Sequence, residues 1–130
     1  MFDHVGIQVT DTPASAALYL SVLAPIGLIE AMRHDTPIGP AIGFADADSP
    51  HNPYFWISPG VATEPRHESH IAFAAPDRAT VDAIGAAAAA AGVEILHEAR
   101  LWPGYRPTYC GVFFRDLDGN NIEAVCHKPE

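Results

Sequence analysis

Arg115-Asp116-Leu117-Asp118-Gly119-Asn120-Asn121-Ile122-Glu123-Ala124-Val125 is the stretch whose reading decides the fold. Asp118-Gly119 is a turn signal between two apolar runs. The segment therefore reads as a hairpin, with strands over 109–115 and 121–126. The return strand carries one carboxylate, Glu123, between Ile122 and Ala124. A charge buried in an apolar strand is costly without a partner, so Glu123 calls for one. Asp116 and Asp118 also invite a calcium-loop reading. The EF-hand pattern needs a further oxygen ligand before its glycine and a Glu beyond it, and it fails here.

Working outward, the same order of elements reads twice. Phe2-Asp3-His4-Val5-Gly6-Ile7-Gln8-Val9 alternates with period two, Val5, Ile7 and Val9 on one side and His4, Gly6 and Gln8 on the other. Asp11-Thr12-Pro13 opens a helix through Ala16, Leu20 and Leu23. Strands follow over 28–33, 41–45 and 54–57, with loops over 36–40 and 46–53. In the second half, Ser69-His70-Ile71-Ala72-Phe73 alternates in the same way and Pro76-Asp77 opens the helix. That helix carries Val81, Ile84, Ala88 and Ala91 and is capped by Gly92. A strand over 93–98, a loop over 101–108 and the final hairpin complete it.

The expected organisation is a single domain over 1–130, with one module over 1–58, a linker over 59–68 and a second module over 69–127. Its fold class is α+β: two paired βαβββ modules forming a curved mixed sheet with helices on the outer face. His4 and His70 then stand at equivalent points on the non-core side of the two first strands, facing a shared concavity. That makes them the candidate partners of Glu123, and the three together a candidate metal site. Trp56 aligns approximately with Glu123 on the last strand of the first module.

Composition narrows the function classes. Hydrophobic residues make up 48% of the chain, which suits a globular core. Net charge is −9, from seven Lys+Arg against sixteen Asp+Glu, which argues against nucleic acid as a partner. No apolar run reaches the roughly 18 residues of a membrane span, and no signal pattern opens the sequence. A soluble, cytoplasmic protein with a small-molecule substrate and no membrane partner is expected. Cys110 and Cys126 read as ordinary buried thiols. No Ser-His-Asp or Cys-His arrangement and no phosphate-binding glycine loop is legible.

The stretches Phe2-Asp3-His4-Val5-Gly6-Ile7, Ser69-His70-Ile71-Ala72-Phe73 and Asp116-Leu117-Asp118-Gly119-Asn120-Asn121-Ile122-Glu123 resemble the vicinal oxygen chelate superfamily. That superfamily includes glyoxalase I, bleomycin-resistance proteins, fosfomycin-resistance enzymes and extradiol dioxygenases. The resemblance covers nearly the whole chain. It implies a divalent metal (Zn, Ni, Mn or Fe) held by His4, His70 and Glu123, with Glu123 also catalytic. It also implies a homodimer, as is usual at this size. Glyoxalase I has a fourth ligand, Glu or Gln, on the last strand of its first module. Here that strand is Tyr54-Phe55-Trp56-Ile57, which counts against glyoxalase I activity itself.

The function expected is a metal-dependent lyase or isomerase acting on a small substrate that chelates through neighbouring oxygens. The main alternative is a metal-free binding protein of the bleomycin-resistance type, in which Glu123 hydrogen-bonds one of the histidines. An Fe(II) dioxygenase and a thiol transferase rank lower, the latter because it needs a cationic pocket. Leu101-Trp102-Pro103-Gly104-Tyr105-Arg106-Pro107-Thr108-Tyr109 has the composition of a loop that closes over a ligand. Trp102, Tyr105, Arg106, Tyr109 and Trp56 are the candidate substrate contacts, alongside plain packing of Trp102 and Tyr109 on the sheet. His34, His51 and His67 are expected in loops, and His127 near a frayed end.

Overall fold

A computed structural model of the chain describes residues 1–61 and 67–129. Two compact units divide it, Met1–His67 and Glu68–Glu130. Half of the expected linker, residues 62–66, lies outside the described residues.

The first unit runs β1 (Val5–Val9), α1 (Thr12–Val22), β2 (Leu28–Thr36), β3 (Gly39–Asp46) and β4 (Phe55–Pro59), its sheet ordered β1-β4-β3-β2. β1 pairs parallel with β4, and the other neighbours are antiparallel. Asp11 caps α1, its side chain accepting from the Ala14 N–H at 3.0 Å, with Pro13 in the first turn where its missing N–H costs nothing. A short 3-10 turn over Ala24–Ile26 follows, ended by Gly27 in the left-handed region at φ 79°. α1 packs on β2, β3 and β4, where Tyr19 meets Phe55 edge-on at 5.1 Å and Phe44 at 6.3 Å. All three rings are buried.

One expectation about this unit is corrected. The segment 36–40 is a tight hairpin rather than a loop: Thr36 pairs Gly39, the Thr36 hydroxyl donates to the Gly39 carbonyl at 2.6 Å, and Pro37-Ile38 forms the turn. Longer strands follow, and His34 lies in β2 rather than in a loop.

The second unit repeats the plan: β5 (His70–Ala74), α2 (Arg78–Ala90), β6 (Ile95–Leu101), β7 (Cys110–Arg115) and β8 (Asn121–Cys126), ordered β5-β8-β7-β6. Asp77 caps α2 by accepting from the Thr80 N–H at 2.8 Å and hydroxyl at 2.7 Å. Gly92, at φ 78°, ends it. Val81, Ile84 and Ala88 are the buried stripe of α2, which packs on β6, β7 and β8; Ala91 is exposed. β6 begins two residues later than expected and runs on to Leu101, with irregular pairing around His97. Cys110 and Cys126 are free, buried and directly paired across β7 and β8. Burial pushes the Cys110 thiol up, away from reactivity.

The closing turn does more than reverse the chain. Asp116 is 5% exposed, and its Oδ1 accepts from the N–H groups of Asp118 and Asn120 at 2.9 Å each. Its Oδ2 accepts from the Asn120 amide at 3.0 Å, and Gly119 supplies the left-handed corner at φ 86°. Asn120 then accepts from the Ser69 N–H at 3.0 Å, while Asn121 N–H donates to the Ser69 carbonyl at 2.9 Å. One turn therefore sets the β7–β8 register and anchors β5 to β8 (Ala72 beside Glu123).

Candidate functional site

Glu123 sits on an inner strand of the second sheet, between Ala72 of β5 and Phe113 of β7, and is 2% exposed. Its carboxylate has two partners. The Tyr109 hydroxyl donates to Oε1, and His70 Nε2 lies 3.1 Å from Oε2. On the other side of the imidazole, His70 Nδ1 is 3.0 Å from the Asn121 carbonyl. A carbonyl can only accept, so Nδ1 carries a proton. A neutral ring then turns its Nε2 lone pair toward a carboxylate oxygen, and two lone pairs repel. A cation between or upon these atoms removes the conflict: a second ring proton or a metal ion. Imidazoles that ligate metals are fixed in just this manner, one nitrogen donating to a carbonyl and the other left bare.

The separation also suits a metal. Two donors about 2.1 Å from one ion, at an angle of about 90–110°, lie about 3.0–3.4 Å apart. The donor set of His70 and Glu123 thus fits a divalent ion. Within each unit, among the described residues, no group of three or more His, Cys, Asp or Glu gathers closely enough to hold one.

Room for the carboxylate comes from Gly111. A Cβ there would stand 3.2 Å from Tyr109 Cε1 and 3.3 Å from Glu123 Oε1. Sequence reasoning passed over Gly111, although an isolated glycine inside an apolar strand signals close approach. Burial, then the hydrogen bond to Glu123 and its charge, hold the Tyr109 phenol above its ordinary range; Arg106 opposes this weakly. Tyr109 therefore remains a donor to Glu123.

The loop between β6 and β7 is closed upon itself. Trp102 N–H donates to the Tyr109 carbonyl at 2.7 Å, and its indole N–H reaches the Gly111 carbonyl at 2.9 Å. Trp102, His97 and Phe113 pack edge to face, and His70 lies nearly parallel to Phe113. Tyr105 meets Tyr109 edge-on at 5.0 Å. Of the loop residues singled out from sequence, Tyr109 reaches Glu123 and Trp102 buttresses the strand. Arg106 is exposed, and its carbonyl closes the turn to Tyr109. A different arginine, Arg100, lies 3.6 Å over the Trp102 ring; nothing in the sequence distinguished it, or His97, from ordinary strand residues.

In the first unit, His4 is exposed, with Nδ1 2.6 Å from Asp3 Oδ1. Trp56 pairs with Gly6 of β1 and Gly43 of β3, as Glu123 pairs with Ala72 and Phe113. The sheet registers thus place Trp56 and Glu123 at the same point of the two modules. A Cβ on Gly43 would lie 2.8 Å from Cε2, Cζ2 and Cη2 of Trp56, so the indole lies face-down on Gly43. His34 runs parallel to it, 5.8 Å between centroids and 11° between planes.

Comparisons with known proteins agree with this fold. A family model described as Glyoxalase/Bleomycin resistance protein/Dioxygenase superfamily matches residues 1–124. A glyoxalase/bleomycin resistance protein from Albidiferax ferrireducens T118 is similar in structure at 23% identity, covering 99% of both chains with a TM-score of 0.76. Lactoylglutathione lyase from Agrobacterium tumefaciens is similar at 20% identity and TM-score 0.68, over 97% of this chain and 92% of that one. The fosfomycin resistance protein FosX from Listeria monocytogenes, complexed with Mn(II) and sulfate, is similar at 20% identity and TM-score 0.68, over 96% and 90%. At these identities the likeness is one of fold. A comparison with proteins of curated function found no match. The repeated βαβββ plan and the matched family model together show that the chain belongs to the glyoxalase/bleomycin resistance protein/dioxygenase superfamily.

Proposed function

We propose that the protein is a metal-dependent enzyme of this superfamily, acting by lyase or isomerase chemistry on a small substrate with neighbouring oxygens. The observation that carries the reading is the His70–Glu123 pair, with Nδ1 tied to the Asn121 carbonyl and Nε2 left facing Oε2. His4, the residue before β1 that matches His70 in the repeat, is the proposed third ligand. A bound divalent ion would supply Lewis acidity toward a chelated substrate oxygen.

The chain's own groups do the rest. Asn121 orients His70. Tyr109 keeps Oε1 hydrogen-bonded, which leaves Oε2 as the face of Glu123 directed to chemistry, where it takes up or returns a proton. Trp102, Tyr105, Arg106 and Trp56 are the proposed substrate contacts. A homodimer in the cytoplasm completes the reading.

One observation favours a second reading. The Tyr109 hydroxyl, together with a His70 ring protonated on both nitrogens, would satisfy Glu123 without a metal, as a binding protein would require. Metal content separates the two. Protein prepared without chelator or affinity tag is expected to hold stoichiometric Zn, Ni, Mn or Fe, and His70→Ala and His4→Ala to lose it. Absence of stoichiometric metal after reconstitution with each ion would establish the binding-protein reading instead.

A further inference from the structure

The first unit contains a cavity of about 520 Å³, within the size range of small-molecule sites. Its lining includes Trp56, Met32, Tyr54, His4 and two carboxylates, Asp3 and Asp46, and holds neither Lys nor Arg. We propose that this cavity binds a planar, positively charged organic ligand, stacked on Trp56. The site goes beyond the metal reading, with which it shares His4 and Trp56.

Three features converge on that ligand class. First, Trp56 is laid flat. Three atoms of its six-membered ring are equally close to the position a Gly43 Cβ would take, so the face of the ring covers the backbone there. Trp56 is half-buried and lines the cavity, with the His34 ring parallel to it at 5.8 Å between centroids. An indole held by one face offers the other as a platform, and a planar ligand uses it best.

Second, the face of an indole carries negative potential, and a cation above it is attracted. Third, the carboxylates reinforce that sign. The Tyr54 hydroxyl donates to Asp46 Oδ1 at 3.2 Å. Burial and Asp46 together hold that phenol above its ordinary range, so Tyr54 adds no charge of its own. Asp3 pairs with His4 at 2.6 Å. A planar anion would meet two carboxylates and the negative face of the ring, with no lysine or arginine in the lining to offset them. Met32, exposed at 43%, gives the wall a soft apolar surface suited to an aromatic edge.

The test is equilibrium dialysis with three probes: N-methylacridinium as planar cation, naphthalene-2-sulfonate as planar anion and tetramethylammonium as compact cation. N-methylacridinium should bind saturably, with Trp56→Ala weakening it about tenfold and the Asp3→Asn/Asp46→Asn pair severalfold. Trp56→Phe, which keeps a ring, should retain part of the affinity and guards against misfolding of the alanine variant. Gly43→Ala should weaken binding by lifting the indole from its seat. His70→Ala should leave probe binding unchanged while lowering metal content, so failure of the metal reading is seen separately. Equal binding of the sulfonate would overturn the charge assignment, and equal binding of tetramethylammonium the stacking. No saturable binding of N-methylacridinium, or wild-type affinity in Trp56→Ala, would overturn the site.

Discussion

Trp56 and Glu123 occupy the same point in two copies of one plan. Each stands on the last strand of its module, beside a small residue of the parallel first strand (Gly6 or Ala72) and opposite a residue of the preceding strand (Gly43 or Phe113). In the second module, the bulk lies on the neighbouring strand as Phe113, and the point itself holds a carboxylate made tolerable by Tyr109, His70 and the gap at Gly111. In the first module the bulk lies at the point itself, as an indole, and the neighbouring strand provides the gap at Gly43. A shared backbone register therefore does not dictate shared chemistry. Where the glycine falls decides whether the point can hold a buried acid or a flat ring.

Exchanging the roles of these two points gives the largest expected effect. Glu123→Ala should weaken divalent-metal binding by at least about a hundredfold, whereas Trp56→Ala should leave metal affinity unchanged. Metal titration by calorimetry reads both. A loss in Trp56→Ala equal to that in Glu123→Ala would erase the contrast.

The glycines come next. Gly111→Ala presses a methyl on Tyr109 and the Glu123 carboxylate together and should cost about 1–3 kcal/mol. Gly43→Ala pushes on the outer ring of Trp56, which can swing away, so its cost should be the smaller. Urea unfolding of both variants checks the order; a larger loss at Gly43 would show that the indole is the more rigid feature. Tyr109→Phe removes a donor from a buried carboxylate and should cost about 1–3 kcal/mol. Tyr54→Phe, at the part-buried pair with Asp46, should cost less.

The smallest effect is one of pH. Tyr54 and Tyr109 keep their protons above the ordinary tyrosine value in the folded chain. The unfolded chain releases those protons first, so their contribution is whole below about pH 10 and declines as pH rises beyond it. Phenolate absorbance of the parent compared with Tyr54→Phe and Tyr109→Phe should show that each substitution removes a late-titrating phenol. Loss of an early-titrating phenol in either variant would remove this parallel between the modules.

Much of the scaffold was legible because its signals are local. Asp11-Thr12-Pro13 and Pro76-Asp77 mark helix starts through capping geometry. Asp118-Gly119 marks a turn, and alternation marks β1 and β5. The hairpin at Pro37-Ile38 was not, since Pro and Gly on both sides imitate a longer loop, and His34 was assigned to that loop with it. The site was legible in part for the same reason. The repeat drew attention to His70 and Glu123, and the structure brings those two together with Tyr109. Side-chain facts without a local signature were not readable: the bare Nε2 of His70 and the indole flat on Gly43 depend on strand register. Arg106, chosen for its place in an aromatic loop, is exposed, while Arg100 stacks on Trp102. Loop composition announces a contact surface without naming the residue that uses it.

The central claim is that His70 presents Nε2 to a metal while Nδ1 remains tied to the Asn121 carbonyl. Nitrogen-15 spectra of the His70 imidazole, recorded during Zn(II) titration, test it most directly. The expected result is a proton on Nδ1 throughout, with the Nε2 resonance moving to a metal-bound position and saturating at one ion per site. Protons on both ring nitrogens, unchanged at saturating Zn(II), would contradict it and leave Glu123 held by an imidazolium and a phenol alone.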